Sequence, residues 1–202
     1  YAAYHTLNGL TRALPREVLA AMTGVNIRVA VMARYEGTTD IPEHAHLAKD
    51  TTLNWDVRAR GLGGDPELPL TTCAEENILC YQIDKYHAED ILVHEFAHSI
   101  HLIGLTATRP EINTQLKSAL DAAKAQGKWR LTYAATNIAE YWAEGVQDWF
   151  NVNAEVEHPD GKHNFVNTRK ELKKYDKGLY YILAGVFPEW EEPVSCHCFA
   201  NK

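Results

Sequence analysis

Residues 90–104 read DILVHEFAHSIHLIG. His94 and His98 stand four apart, Glu95 follows the first, and His101 comes three after the second. Apolar Ile91, Leu92, Phe96, Ile100, Leu102 and Ile103 supply buried faces for a helix over about 88–103. Four residues make roughly one turn, so His94 and His98 project from one face. Two imidazoles so placed reach one metal ion at ~2.1 Å, and tetrahedral zinc suits the pair. Glu95 sits beside that ion without needing to bind it. There a base takes a proton from a metal-activated water. His101 lies about 10 Å along the axis from His94 at ~1.5 Å per residue, too far to share the ion. It reads as a buried or supporting histidine. HExxH alone is weakly specific, and a third ligand is needed.

Residues 131–150, LTYAATNIAEYWAEGVQDWF, supply one. Asn137 is an acceptable N-cap for a helix through about Asn151. On it Glu140, Glu144 and Asp148 recur one turn apart, while Trp142, Val146, Trp149 and Phe150 furnish apolar surface. Three stacked acids repel unless they form a solvated face or a cation compensates them. A zinc ion held by two histidines would compensate. Glu140 is then the third ligand, and Glu144 the acceptor for the free ring N–H of a ligand histidine. Tyr133, seven residues before Glu140, is placed to donate to the oxyanion of a tetrahedral intermediate.

His94-Glu95-Phe96-Ala97-His98, then Tyr133, then Asn137-x-x-Glu140-x-x-Ala143-Glu144 resembles the gluzincin metallopeptidases. Within them it is most similar to the catalytic domain of anthrax lethal factor and its relatives, including the Pro-Pro endopeptidases. The likeness spans about residues 78–150. It implies zinc held by His94, His98 and Glu140, Glu95 as general base and acid, Tyr133 as oxyanion donor, and Glu144 supporting a ligand. The four cysteines fall outside that family's pattern, and no substrate-recruiting domain is recognised, so substrate preference is not carried over.

The 202 residues read as a single domain, 1–202, with a formal charge of −7. No basic stripe stands out, which argues against a nucleic-acid partner. The longest apolar run, Tyr180 to Phe187, falls short of the ~18 residues of a membrane span. The chain begins with Tyr and reads as a processed or trimmed product. Four cysteines, an even count, point to a secreted protein; Cys73 and Cys80 are spaced for a loop-closing disulfide, and Cys196 and Cys198 for a second bridge or metal-binding thiolates.

Pro15 to Met22 reads as a short helix ended by Gly24, Asn26 to Arg34 as a strand, and Glu36 to Pro69 as loops with short strands. Ile78 to Ile83 reads as a second strand, and helices are expected over about 110–126, 137–151 and 168–185. Strands followed mainly by helices give an α+β, zincin-like fold: a small mixed β-sheet in the N-terminal half packed on the HExxH helix, and a mainly helical C-terminal half. The expected activity is that of a secreted zinc endopeptidase acting on a peptide or protein substrate. An extended substrate would lie along an edge strand between Pro69 and Gln82, contacting Glu76 and Asn77. Two alternatives share the motif: a zinc-binding recognition module without catalysis, and a zinc hydrolase of a non-peptide amide or ester.

Overall fold

A computed structural model describes residues 1–189. Its sheet has three strands in the order β1-β3-β2: β1 (Arg28–Met32), β2 (Gly61–Leu62) and β3 (Leu70–Ala74). β1 runs parallel to β3 and β2 antiparallel to it, so the sheet is mixed. The fold is α+β, with a small sheet and mainly helices after it.

The central strand lies upstream of the expected Ile78–Ile83 segment. That segment instead begins at the end of α4 (Glu75–Ile78), and Cys80 takes a left-handed φ of 57°. β3 reads LTTCA, and its threonines hide a strand buried at every residue. Thr71 is buried at little polar cost because its hydroxyl lies 2.7 Å from Ser99 Oγ. Cys73 sits in the core with Ile78, Ile91 and Leu92 as a free thiol, so the Cys73–Cys80 bridge is not made. Burial pushes that thiol's pKa up. Cys196 and Cys198 lie outside the described residues.

Two helices precede the sheet: α1 (Ala2–Ala13), for which the sequence raised no expectation, and α2 (Arg16–Gly24), entered by Pro15 as expected. A single turn, α3 (Trp55–Arg58), leads into β2. The HExxH helix is α5 (Ile91–Ser99), whose N-cap Asp90 accepts from Val93 N at 3.0 Å. It then widens into a π-helical stretch over Ile100–Leu105 and ends in the turn α6 (Thr106–Thr108). Gly104 lies in that stretch where α2 crosses, and a Cβ there would come within 2.6 Å of Val18 Cγ1.

Further along are α7 (Ile112–Ala125), α8 (Ile138–Trp149), α9 (Arg169–Tyr175) and α10 (Lys177–Ala184). The stretch expected as one helix over 168–185 is two, parted at Asp176. That carboxylate caps α10 through Leu179 N, and also accepts from Trp129 Nε1 at 2.7 Å and Tyr141 Oη at 2.6 Å. Three convergent donors favour the break over a continuous helix.

α8 is the axis of the core. Tyr141, Trp142, Val146 and Trp149 on it are fully buried, and Trp142 Nε1 donates to Ala97 O on α5 at 2.9 Å. That bond locks the helix carrying Glu140 against the helix carrying the histidines. Among the described residues no helix is long and apolar enough to cross a membrane.

Candidate metal centre

The site forms where α5 and α8 face each other. Asn137 caps α8 as expected, its Oδ1 accepting from Ala139 N at 2.8 Å and Glu140 N at 2.9 Å. The cap sets the first turn, and Glu140 points from it toward α5. Its Oε2 lies 3.2 Å from His94 Nε2 and 3.4 Å from His98 Nε2, and the two ring nitrogens are 3.2 Å apart. Ligands ~2.1 Å from a tetrahedral ion are separated by about 3.4 Å. The three atoms therefore form one face of a tetrahedron of the size such an ion needs.

The tautomer of His94 follows from its neighbour Gln147. Both hydrogens of the Gln147 amide are committed, Nε2 donating to Asp90 O at 3.1 Å and to Glu89 Oε2 at 3.2 Å. Its Oε1 must accept, and His94 Nδ1 donates to it at 2.8 Å. In the neutral ring, Nε2 of His94 is thereby left with its lone pair toward Glu140 and His98. Glu144, expected in that supporting place, is 3.7 Å from Nδ1 and makes no hydrogen bond with it. It adds charge at close range while Gln147 makes the bond.

The field is strongly negative. Burial lowers the His94 pKa, but the Glu140 hydrogen bond and the Glu95 and Glu144 charges outweigh it and raise the value to about 10. For Glu140, burial pushes up, and the hydrogen bonds and charges of both histidines hold it well below the carboxylate range. Such a field favours a cation among these groups. Glu95, partly buried, has its pKa raised by burial, an effect the neighbouring histidines partly offset. A raised carboxylate pKa suits a proton-transfer group.

The acids expected on α8 are not a solvated face: Glu144 is 4% exposed and Asp148 0%. Asn153 Nδ2 donates to both, at 3.1 and 2.8 Å. Tyr133, in a short helical turn, stacks on His94 with ring centroids 6.3 Å apart and planes at 27°. Burial and the Glu140 charge raise its pKa, and an Arg58 hydrogen bond works against them. His101 is buried, 2.7 Å through Nε2 from Asn113 Oδ1, and takes no part in the ligand set.

Glu76 and Asn77, expected as substrate contacts, are 7% and 2% exposed, with their side chains engaged inside the scaffold. Glu76 pairs with Arg60 at 2.6 and 3.0 Å. Asn77, 2% exposed, donates to Asp84, Tyr86 and Glu89 and accepts from Ile91 N. Both hold the scaffold below α5. β3 is central in the sheet, and the edge strand beside the site is β2. A Cβ on Gly61 would approach Glu95 Cγ to 2.8 Å, and one on Gly63 would approach His98 Cβ to 2.4 Å. The GLGG run at 61–64 marked this close approach in the sequence. Gln147, seven residues past Glu140 and so on the same helix face, was the readable signal for the His94 partner.

Among solved structures, the chain is similar to the Pro-Pro endopeptidase PPEP-2 from Paenibacillus alvei, with a TM-score of 0.56. The two chains share a fold. The match covers 91% of this chain and 90% of that one at 17% identity, which speaks to fold alone. No family model matches the sequence, and no curated protein sequence matches it.

Proposed function

We propose that the chain is a zinc-dependent endopeptidase of the gluzincin type. The observation that carries this is the triangle of His94 Nε2, His98 Nε2 and Glu140 Oε2 with edges of 3.2, 3.2 and 3.4 Å, beside Glu95. Zinc bound there would polarise a peptide carbonyl and acidify a water. Glu95 accepts the proton of the attacking water and passes it to the departing amine. Tyr133 donates to the oxygen that becomes negative as the carbonyl carbon turns tetrahedral. The peptide lies extended along β2, the edge strand that passes Glu95 and His98. Likeness in fold to a Pro-Pro endopeptidase supports a peptide substrate and makes proline-rich peptides the first to try. We propose export as well, although with Cys73 a buried thiol the cysteine argument rests on Cys80, Cys196 and Cys198.

The test is cleavage of a broad peptide library, Pro-Pro sequences included, by the zinc-loaded protein and by Glu95→Gln. Cleavage abolished by the substitution, with zinc retained in both, is expected. Zinc bound with no peptide cut by either protein would overturn the peptidase reading in favour of a binding module or a non-peptide hydrolase.

A further inference from the structure

Behind His94, on the side away from the metal triangle, His163 stands between two buried carboxylates. Its Nε2 is 3.3 Å from Glu89 Oε1, and its Nδ1 is 3.9 Å from Glu144 Oε2. Glu89 is 6% exposed and Glu144 4%. A metal ion shared by these three would need one ring nitrogen to meet both acids at about 3.4 Å. Instead each acid faces a different nitrogen, and the close pairing is the one with Glu89.

One connected route leads from this ring to His94. Glu89 accepts from the Gln147 amide at 3.2 Å, and Gln147 accepts from His94 Nδ1 at 2.8 Å. Glu144 stands 3.7 Å from the same Nδ1 and adds negative charge there without a hydrogen bond. The turn that carries His163 also supports Tyr133, whose N–H donates to Lys162 O at 2.7 Å. Asp160 Oδ1 closes that turn, accepting from Lys162 N and His163 N at 2.9 Å each, with Gly161 at a φ of +98°.

We propose that His163 is a positioning residue of the metal centre, pairing with Glu89 so that Gln147 and His94 keep their orientation. The inference rests on the zinc reading above. A carboxylate buried as deeply as Glu89 needs a charged or hydrogen-bonding partner, and His163 stands 3.3 Å from it. Burial disfavours charge on His163, but the Glu89 hydrogen bond and both acidic neighbours raise its pKa. Burial likewise raises Glu89, and His163 more than reverses it. Without His163, Glu89 loses the partner that holds its carboxylate, which is then free to turn from the Gln147 amide and release the acceptor that fixes His94.

The experiment is zinc affinity by chelator competition for the wild type, His163→Gln, Glu89→Gln and the double variant, with zinc-free melting curves alongside. Each single substitution should weaken zinc about 10- to 100-fold, the usual cost of removing a ligand's hydrogen-bonding support. The double variant should lose little more than either single, because both break one relay. Nitrogen NMR of the zinc-loaded protein should show the His94 Nδ1–H protected from exchange with water in the wild type and exchanging faster in His163→Gln. Wild-type zinc affinity in His163→Gln, or fully additive losses, overturns the inference while leaving the zinc site standing. A wild type that binds no zinc overturns the underlying reading itself. Should His163→Gln not fold, Glu89→Gln, which keeps shape and removes the paired charge, carries the same comparison.

Discussion

Gly63→Ala tests how tightly β2 is pressed onto the HExxH helix. The added Cβ would stand 2.4 Å from His98 Cβ and 2.9 Å from its Cγ. Carbon atoms pack at ~3.5–4.0 Å, so strand or histidine must move by about 1 Å. Overpacking of that kind costs about 1–3 kcal/mol. A metal ligand tolerates a displacement of only about 0.2 Å, and the contacts fall on the stem of a ligand ring rather than on a flexible tip. If half of the strain falls on the site, zinc affinity drops by roughly two- to tenfold, since about 1.4 kcal/mol is one decade. Chelator competition and thermal melting, run beside Gly24→Ala, measure both parts. A Cβ on Gly24 meets nothing within 4 Å, so that variant should bind zinc as the wild type does. Gly63→Ala with wild-type affinity and melting would refute the close approach to His98 of the chain just past β2.

Three further outcomes follow from the geometry. Gln147→Leu removes the acceptor of His94 Nδ1 and should weaken zinc binding about 10- to 100-fold, measured by the same competition, while Glu144 keeps its place. Asp176→Ala strands the Trp129 and Tyr141 donors and uncaps α10, and should cost about 3 kcal/mol or more in a denaturant melt; Asp176→Asn, which keeps one acceptor oxygen, should cost less. Asp50 is held near a pKa of about 2 by the Thr52 side-chain and backbone donors and by Trp55 Nε1. A depressed carboxylate contributes stability above its ordinary value of 3.8 and loses it as pH falls toward 2. The Trp55 indole N–H resonance should therefore shift with a midpoint near 2, and a midpoint near 3.8 would count against the bond.

The legible parts of the site were those written in helical spacing. His94 and His98, or Asn137, Glu140 and Glu144, are related by local geometry that every α-helix shares, so reading their positions needed no tertiary knowledge. What escaped depends on contacts between distant segments. β3 was missed because Thr71 and Thr72 look like exposed residues, yet Thr71 is buried against Ser99, 28 residues on. Gln147 displaces Glu144 as the His94 partner because Glu89 and Asp90 O orient its amide, a fact spread over 58 positions. Glu76 and Asn77 were read as substrate contacts, but their polar atoms serve Arg60, Asp84 and the start of α5. The division of the last helix lay in Asp176, an ordinary helix-surface residue until Trp129 and Tyr141 are brought to it.

The central claim is that His94, His98 and Glu140 hold one zinc ion. The most direct measurement is a crystal structure of the zinc-loaded protein with anomalous data collected on both sides of the zinc edge. The account predicts one strong zinc peak about 2.1 Å from His94 Nε2, His98 Nε2 and Glu140 Oε2, with Gln147 still accepting from His94 Nδ1. A peak at any other set of residues, or none at this triangle, would contradict it.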